Sequence, residues 1–282
     1  MLRALAVVLV LGGVVPARAA EVKPAERARV VAEVLELAAV RASVEQLQRG
    51  LTGPLGQQPS LPEATARDVV APALRQAFSV DQLYAYVQSA FEQNFDAGRL
   101  AAVATQLRTP LGRKMTALEA EAQSPSSADA LRDFVATLAT NRPPAERLAL
   151  VRRLDNATRA TEVNLELTVA AQVAVTRVVD VVLPAAQRRN PPDVAAGVRA
   201  LPLSTWSAAR TGTENALLFA YRSASTKDLR AYAEMVESEA GRWFAAFLHR
   251  AFLESFATAA AQAVEAVRTG LAARRSPEGG TR

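Results

Sequence analysis

No cysteine occurs in this chain of 282 residues, and only one histidine, His249. The first absence removes disulfide frameworks and thiol chemistry, so stability must come from a packed core. The second removes every site that needs two imidazoles, the H-E-x-x-H zinc proteases included. Ala246 stands three residues before His249, so a Glu-x-x-His di-iron half-site is missing as well. A Ser-His-acid triad would have to use His249, which sits among Phe247, Leu248, Phe252 and Leu253 and reads as a structural residue of an apolar helix. No G-x-S-x-G, S-x-x-K, P-loop or G-x-G-x-x-G is present. No catalytic residue, metal or cofactor is expected.

Aromatic residues are scarce, at 5% of the chain, while half of it is hydrophobic. Alanine and valine supply that excess, which suits closely packed helices better than a strand-rich core. No convincing alternating β segment occurs, so the fold class is all-α, a helical bundle. Lysine is nearly absent too, with only Lys23, Lys114 and Lys227.

The N-terminus has the layout of a secretory signal peptide. Arg3 precedes an apolar run at residues 4–15, Pro16 breaks it, and Ala17-Arg18-Ala19 offers a small-x-small cleavage site. The run is too short for a retained membrane span, and no cysteine is present for a lipid anchor. Cleavage near Ala19 removes two arginines and no acid, which lowers the formal net charge from +5 to +3. A charge that small, with no basic cluster, does not call for nucleic acid as a partner. The expected location is the periplasm or the extracellular space.

Helical periodicity then divides the chain. Pro24-Ala-Glu-Arg27 opens a helix expected to run to about Leu51, followed by a loop rich in glycine and proline. A second helix is expected over 62–78, kinked at Pro72. Ser79 caps a third, which carries Leu83, Tyr84, Val87, Phe91 and Phe95. After a linker and a short helix over 129–140, Pro144-Ala-Glu-Arg147 restates the opening at an offset of 120 residues. Its helix is expected over 145–183, with Arg159, Glu162, Glu166, Arg177 and Asp180 in a narrow polar stripe that argues against a lipid-facing span. Ser204 is expected to cap the helix of Trp206, Leu217, Leu218 and Tyr221. The last helix, 239–270, carries Trp243, Phe244, Phe247, Phe252 and Phe256, with Gly270 as its C-cap.

A second echo lies at an offset of 129 residues: Thr109 with Gly112-Arg113, and Ser238 with Gly241-Arg242. Two echoes in the same order point to an internal duplication. The expected divisions are a signal peptide at 1–19, a first helical repeat at 20–123, a linker with a short helix at 124–143, a second repeat at 144–271 and a disordered tail at 272–282. Glycine inside a helix costs about 1 kcal/mol against alanine, so its recurrence needs a reason. Capping and a close helix crossing account for it. A sharper reading makes Arg113 and Arg242 ligands of an anion near a helix N-terminus. Trp243 and Phe247, just after the second copy, are candidates for an apolar ligand groove or for the core.

Through Lys227-Asp228-Leu229, Tyr232, Ser238, Gly241 and Arg242, the second half resembles the bacterial family called domain of unknown function 2059. The first half matches through Leu100, Thr109, Gly112 and Arg113, with Val103 in place of the tyrosine. The resemblance implies a small exported helical protein of the cell envelope and brings no agreed activity, cofactor or catalytic residue. The leading expectation is a non-enzymatic protein that binds an envelope partner or an apolar molecule. The alternative is a glycosidase-like envelope hydrolase using paired carboxylates among Glu162, Glu166, Glu234 and Glu237.

Overall fold

The computed structural model describes residues 23–55 and 63–275. The expected signal peptide at 1–19, most of the loop after Gly50 and the end of the expected tail lie outside them. The protein is an all-α bundle, with no strand among the described residues. None of the described helices is long and apolar enough to cross a membrane.

The first expected helix is two, α1 (Pro24–Leu37) and α2 (Val40–Leu55). The chain turns at Ala39, whose φ of 49° is left-handed. Its counterpart over 145–183 is likewise two, α9 (Ala145–Thr158) and α10 (Ala160–Asp180). Here the turn is at Arg159, φ 55°. The two left-handed residues are 120 positions apart, the offset of Pro24 and Pro144. Neither break is marked by glycine or proline, so helical periodicity runs straight across both. Arg159 therefore sits in the turn rather than on the polar stripe of α10. The second turn is secured by Asp155, whose carboxylate accepts the Thr161 backbone N–H and hydroxyl, both at 2.8 Å. That bond covers a bare amide of the first turn of α10, as a cap does.

The stretch before Phe78 is built of α3 (Glu63–Thr65), a wide π turn over Ala66–Val70, and α4 (Ala71–Ala77). Pro72 has no N–H and crowds the carbonyl four residues earlier, so the helix widens just before it. Ser79 caps α5 (Val80–Gln93) by accepting the Gln82 N–H. Asp96 caps α6 (Ala97–Leu107), and Thr109 caps α7 (Pro110–Ala122). After α8 (Ser127–Leu138), α9 and α10 come a 3-10 turn at Ala185–Gln187, α11 (Val194–Arg199) and α12 (Leu203–Ala220). Pro202, not Ser204, occupies the cap of α12. Ser225 caps α13 (Thr226–Val236), and α14 (Glu239–Arg275) closes the chain. Gly270 does not end α14; it lies inside it, where its bare Cα faces Val69, and helix continues over 272–275.

The halves follow one order of elements. α1 packs on α5 and α6; α9 packs on α12 and α13. The last helix of each half crosses over. α14 lies along α4, α5, α6 and α10, and its Phe247, Phe252, Phe256, Ala259 and Ala263 belong to the large core that the first half forms together with α10. α7 lies on α12 and α13, and its Met115 is fully buried with Leu150, Leu154, Leu229 and Tyr232 in the second core. Alanines at 259, 260 and 263 on the buried face of α14 let its neighbours approach closely.

Candidate functional site

The two Gly-Arg elements are joints of the same construction. Thr109 Oγ1 donates to the Gln106 carbonyl and accepts the Gly112 N–H; Ser238 Oγ does the same with Met235 and Gly241. Each glycine lies against the end of the preceding helix. A Cβ on Gly112 would stand 2.4 Å from the Gln106 carbonyl oxygen, and one on Gly241 would stand 2.5 Å from that of Val236. Each arginine turns back to the carbonyl of the residue that ends the preceding helix. Arg113 donates to Arg108, and Arg242 Nε donates to Glu237 at 2.6 Å. A guanidinium there satisfies an orphan carbonyl and complements the helix dipole. Both arginines are otherwise exposed. The joints also meet, since Gln106 Nε2 donates to Ser238 Oγ at 2.9 Å.

Trp243 and Phe247 face the first core. Trp243 stacks on Phe247 with centroids 5.6 Å apart, and Phe247 meets Phe91 edge-on at 4.5 Å. Arg99 lies over the Trp243 ring. The next face of α14, with Phe244, Ala245, Leu248 and Phe252, lines a cavity of about 320 Å³ between the halves.

The cavity is lined in pairs. Gln106 and Met235, Thr116 and Ala245, Glu119 and Leu248, and Gln123 and Phe252 all line it, and each pair is 129 residues apart. Ala38 and Thr158, and Ser43 and Val163, line it at an offset of 120. The space therefore lies where equivalent elements of the two halves face one another. The faces differ in chemistry. The α6–α7 wall carries the polar groups Gln106, Thr116, Glu119 and Gln123 beside Val103 and Leu107. The α13–α14 wall answers with Met235, Ala245, Leu248 and Phe252. Tyr232, opposite Val103, is the one reversal, and it serves the polar wall.

Among the described residues, Glu119 is the only carboxylate that lines this cavity. Its Oε1 accepts hydrogen bonds from both Tyr221 Oη and Tyr232 Oη, the latter at 2.7 Å. Its Oε2 accepts none from the described residues. Burial raises the Glu119 carboxyl above its ordinary pKa, and the two phenols only partly oppose this. Burial, joined by the nearby carboxylate, pushes both phenols well above theirs. Among the described residues, neither lysine nor arginine lines the cavity.

His249 lines the same space. Its Nε2 is 2.9 Å from Glu166 Oε2, yet the carboxylate is off the hydrogen-bonding direction, so the contact is electrostatic and the buried nitrogen has no aligned partner. Burial lowers the imidazole pKa, Glu166 works against that, and Arg159 adds to it. Asn164 lines both this cavity and a neighbouring groove of about 710 Å³ beside α10, walled by Leu47, Leu167, Ala171, Val175 and Phe256.

The four acids considered for hydrolysis do not gather. Glu237 is forked on Arg153 at 2.7 and 3.0 Å, Glu166 faces His249, and none of Glu162, Glu166, Glu234 and Glu237 lines the cavity. Glu119 is absent from the residues singled out by sequence, where Tyr221 appears only on a helix face and Tyr232 only in the family resemblance. A signal was available: Gly112, Met115, Thr116 and Glu119 form one helical face, so an acid continues a buried stripe. No known family model, curated protein or solved structure matches the chain.

Proposed function

We propose that this is an exported, non-enzymatic helical protein of the bacterial cell envelope that holds an apolar molecule between two duplicated halves. The cavity carries this reading. Its size lies at the lower end of the roughly 300–1,000 Å³ typical of small-molecule sites, and it combines apolar walls with few polar groups, as such sites do. The groove past Asn164 gives an elongated occupant room to continue along α10. The paired joints and paired left-handed turns support the duplication, and the joints account for the residues behind the resemblance to the domain of unknown function 2059 family. That resemblance and the N-terminal pattern support export. A glycosidase needs two carboxyls about 5–9.5 Å apart across its cleft, and this cavity is lined by one.

The test is native mass spectrometry of protein purified from its own envelope, with titration of the emptied protein by the neutral apolar dye N-phenyl-1-naphthylamine. A retained apolar small molecule and saturable dye binding are expected, with binding lost when Leu248→Trp fills the space. Absence of both retained molecule and dye binding overturns the reading.

A further inference from the structure

We propose that the molecule held in the cavity carries a cationic amine, and that the Glu119 carboxylate receives it. The inference rests on the cavity reading above and adds the chemistry of the head group.

Glu119 is a carboxyl without a cation. On its own helix, Lys114 pairs outward with Asp228 at 2.8 Å and Glu121 pairs outward with Arg222. The groups that reach Glu119 from neighbouring helices are Tyr221, at the end of α12, and Tyr232, on α13. α6 and α8 bring no charge to it. An unpaired carboxylate in a half-buried site is disfavoured, and it tends to take a proton unless a positive charge is supplied. The two phenols fix Oε1 and leave Oε2 for a further donor. An ammonium offers donors and the missing charge together, and such charge-assisted bonds are about twice as strong as neutral ones.

Other head groups suit the site less. A carboxylate or phosphate would lie beside Glu119 and meet no lysine or arginine. An alcohol could hydrogen-bond to Glu119 but would leave its charge uncompensated. The facing wall of Met235, Ala245, Leu248 and Phe252 takes an apolar body. Polar and apolar walls face each other across one space, so the occupant is an amphiphile with its amine on the α7 side.

Acid works against the amine from two directions. Glu119 becomes neutral as pH falls through its raised pKa. His249, the imidazole of the cavity, gains charge beside Glu166 as pH falls through its lowered one, while the Tyr232 phenol, pushed well above its ordinary value, stays neutral. Amine affinity should therefore decline in acid, while the affinity of a neutral analogue changes less.

The experiment uses the mature chain and three probes of one length: octylamine, octanol and octanoate, each displacing the neutral dye. The mature protein is net positive, so its overall field favours octanoate and a preference for octylamine must be local. Octylamine is expected to bind roughly tenfold tighter than octanol, on the scale of one hydrogen bond to a charged group, with octanoate weakest. Glu119→Gln keeps an acceptor for both phenols and should bring octylamine to the level of octanol. If this variant does not fold, the pH series on the unmutated protein decides: the preference must shrink in acid. Equal binding of all three, or a preference that persists in Glu119→Gln or across the pH series, overturns the amine inference and leaves the apolar site standing. Failure of all three and of the dye removes the site itself.

Discussion

Gly241→Ala should destabilise this protein although it replaces a poor helix former with the best one. The added methyl carbon would lie 2.5 Å from the Val236 carbonyl oxygen, 2.6 Å from that of Met235 and 2.9 Å from the Val236 carbonyl carbon. Carbon–oxygen contacts settle at about 3.3 Å or beyond, so the α13–α14 joint must open by roughly 0.8 Å. The obstructing atoms are backbone, which no rotamer change can move. Overpacking costs about 1–3 kcal/mol, and a rigid backbone puts this site near the top. Alanine returns about 1 kcal/mol of helix propensity, for a net loss of about 2 kcal/mol. Gly112→Ala should behave alike, because its carbon would meet the Gln106 and Leu107 carbonyls at 2.4 and 2.7 Å. Gly212→Ala is the control: nothing lies within 4 Å of its added carbon on α12, so it should gain about 0.5–1 kcal/mol. Urea unfolding followed by tryptophan fluorescence reads all three. A Gly241→Ala midpoint at or above the unmutated value would refute the steric account. It would move the reason for the glycine to a ligand's approach, where the cost falls on binding instead of stability.

Three further outcomes follow from particular residues. Glu119→Gln should gain stability relative to the unmutated protein as pH rises. The folded carboxyl holds its proton above the ordinary 4.5, so its favourable contribution is complete below that value and is lost as pH climbs through the raised pKa; a difference that does not vary with pH in urea titrations would contradict this. Ala39→Gly should be neutral or raise the thermal midpoint, since relief of about 1–2 kcal/mol of left-handed strain exceeds the roughly 0.5–1 kcal/mol cost of glycine, whereas Ala32→Gly within α1 should lower it. Asp155→Ala should cost about 2–3 kcal/mol in urea, because it strands the N–H and hydroxyl of buried Thr161.

What the sequence made legible was local. Ser79, Thr109 and Ser225 announce their helices because a cap is decided within four residues. The Gly-Arg joints could be found for the same reason, and even their packing role could be argued. The breaks at Ala39 and Arg159 were hidden, since alanine and arginine are good helix formers and the left-handed turn is imposed by what surrounds it. Asp155 could have hinted at the second, but its partner Thr161 lies across the turn. The crossing of α7 and α14 between halves was hidden more deeply. Each helix shows an apolar face, and nothing in a face says which half will cover it. For this reason Trp243 and Phe247 could be read as a groove wall or as core, and they are packed against the first core. Glu119 looked like one acid among many until α12 and α13 brought two phenols to it.

The crossing also explains why the cavity lies where it does and why its walls differ. The two joints meet through Gln106 and Ser238, and the elements around them, α6–α7 and α13–α14, line one space. A symmetric pair of such elements would line the space with matched residues on both sides. Here the second half supplies Met235, Ala245, Leu248 and Phe252 where the first supplies Gln106, Thr116, Glu119 and Gln123. The joint residues keep their chemistry in both copies while these four pairs do not. Steric need explains the first set, because no side chain fits at either glycine. It does not explain the second, since an apolar face would close the same space without the cost of burying a carboxyl. The divergence suits the amphiphilic occupant proposed above, and Glu119 is where it costs the fold most.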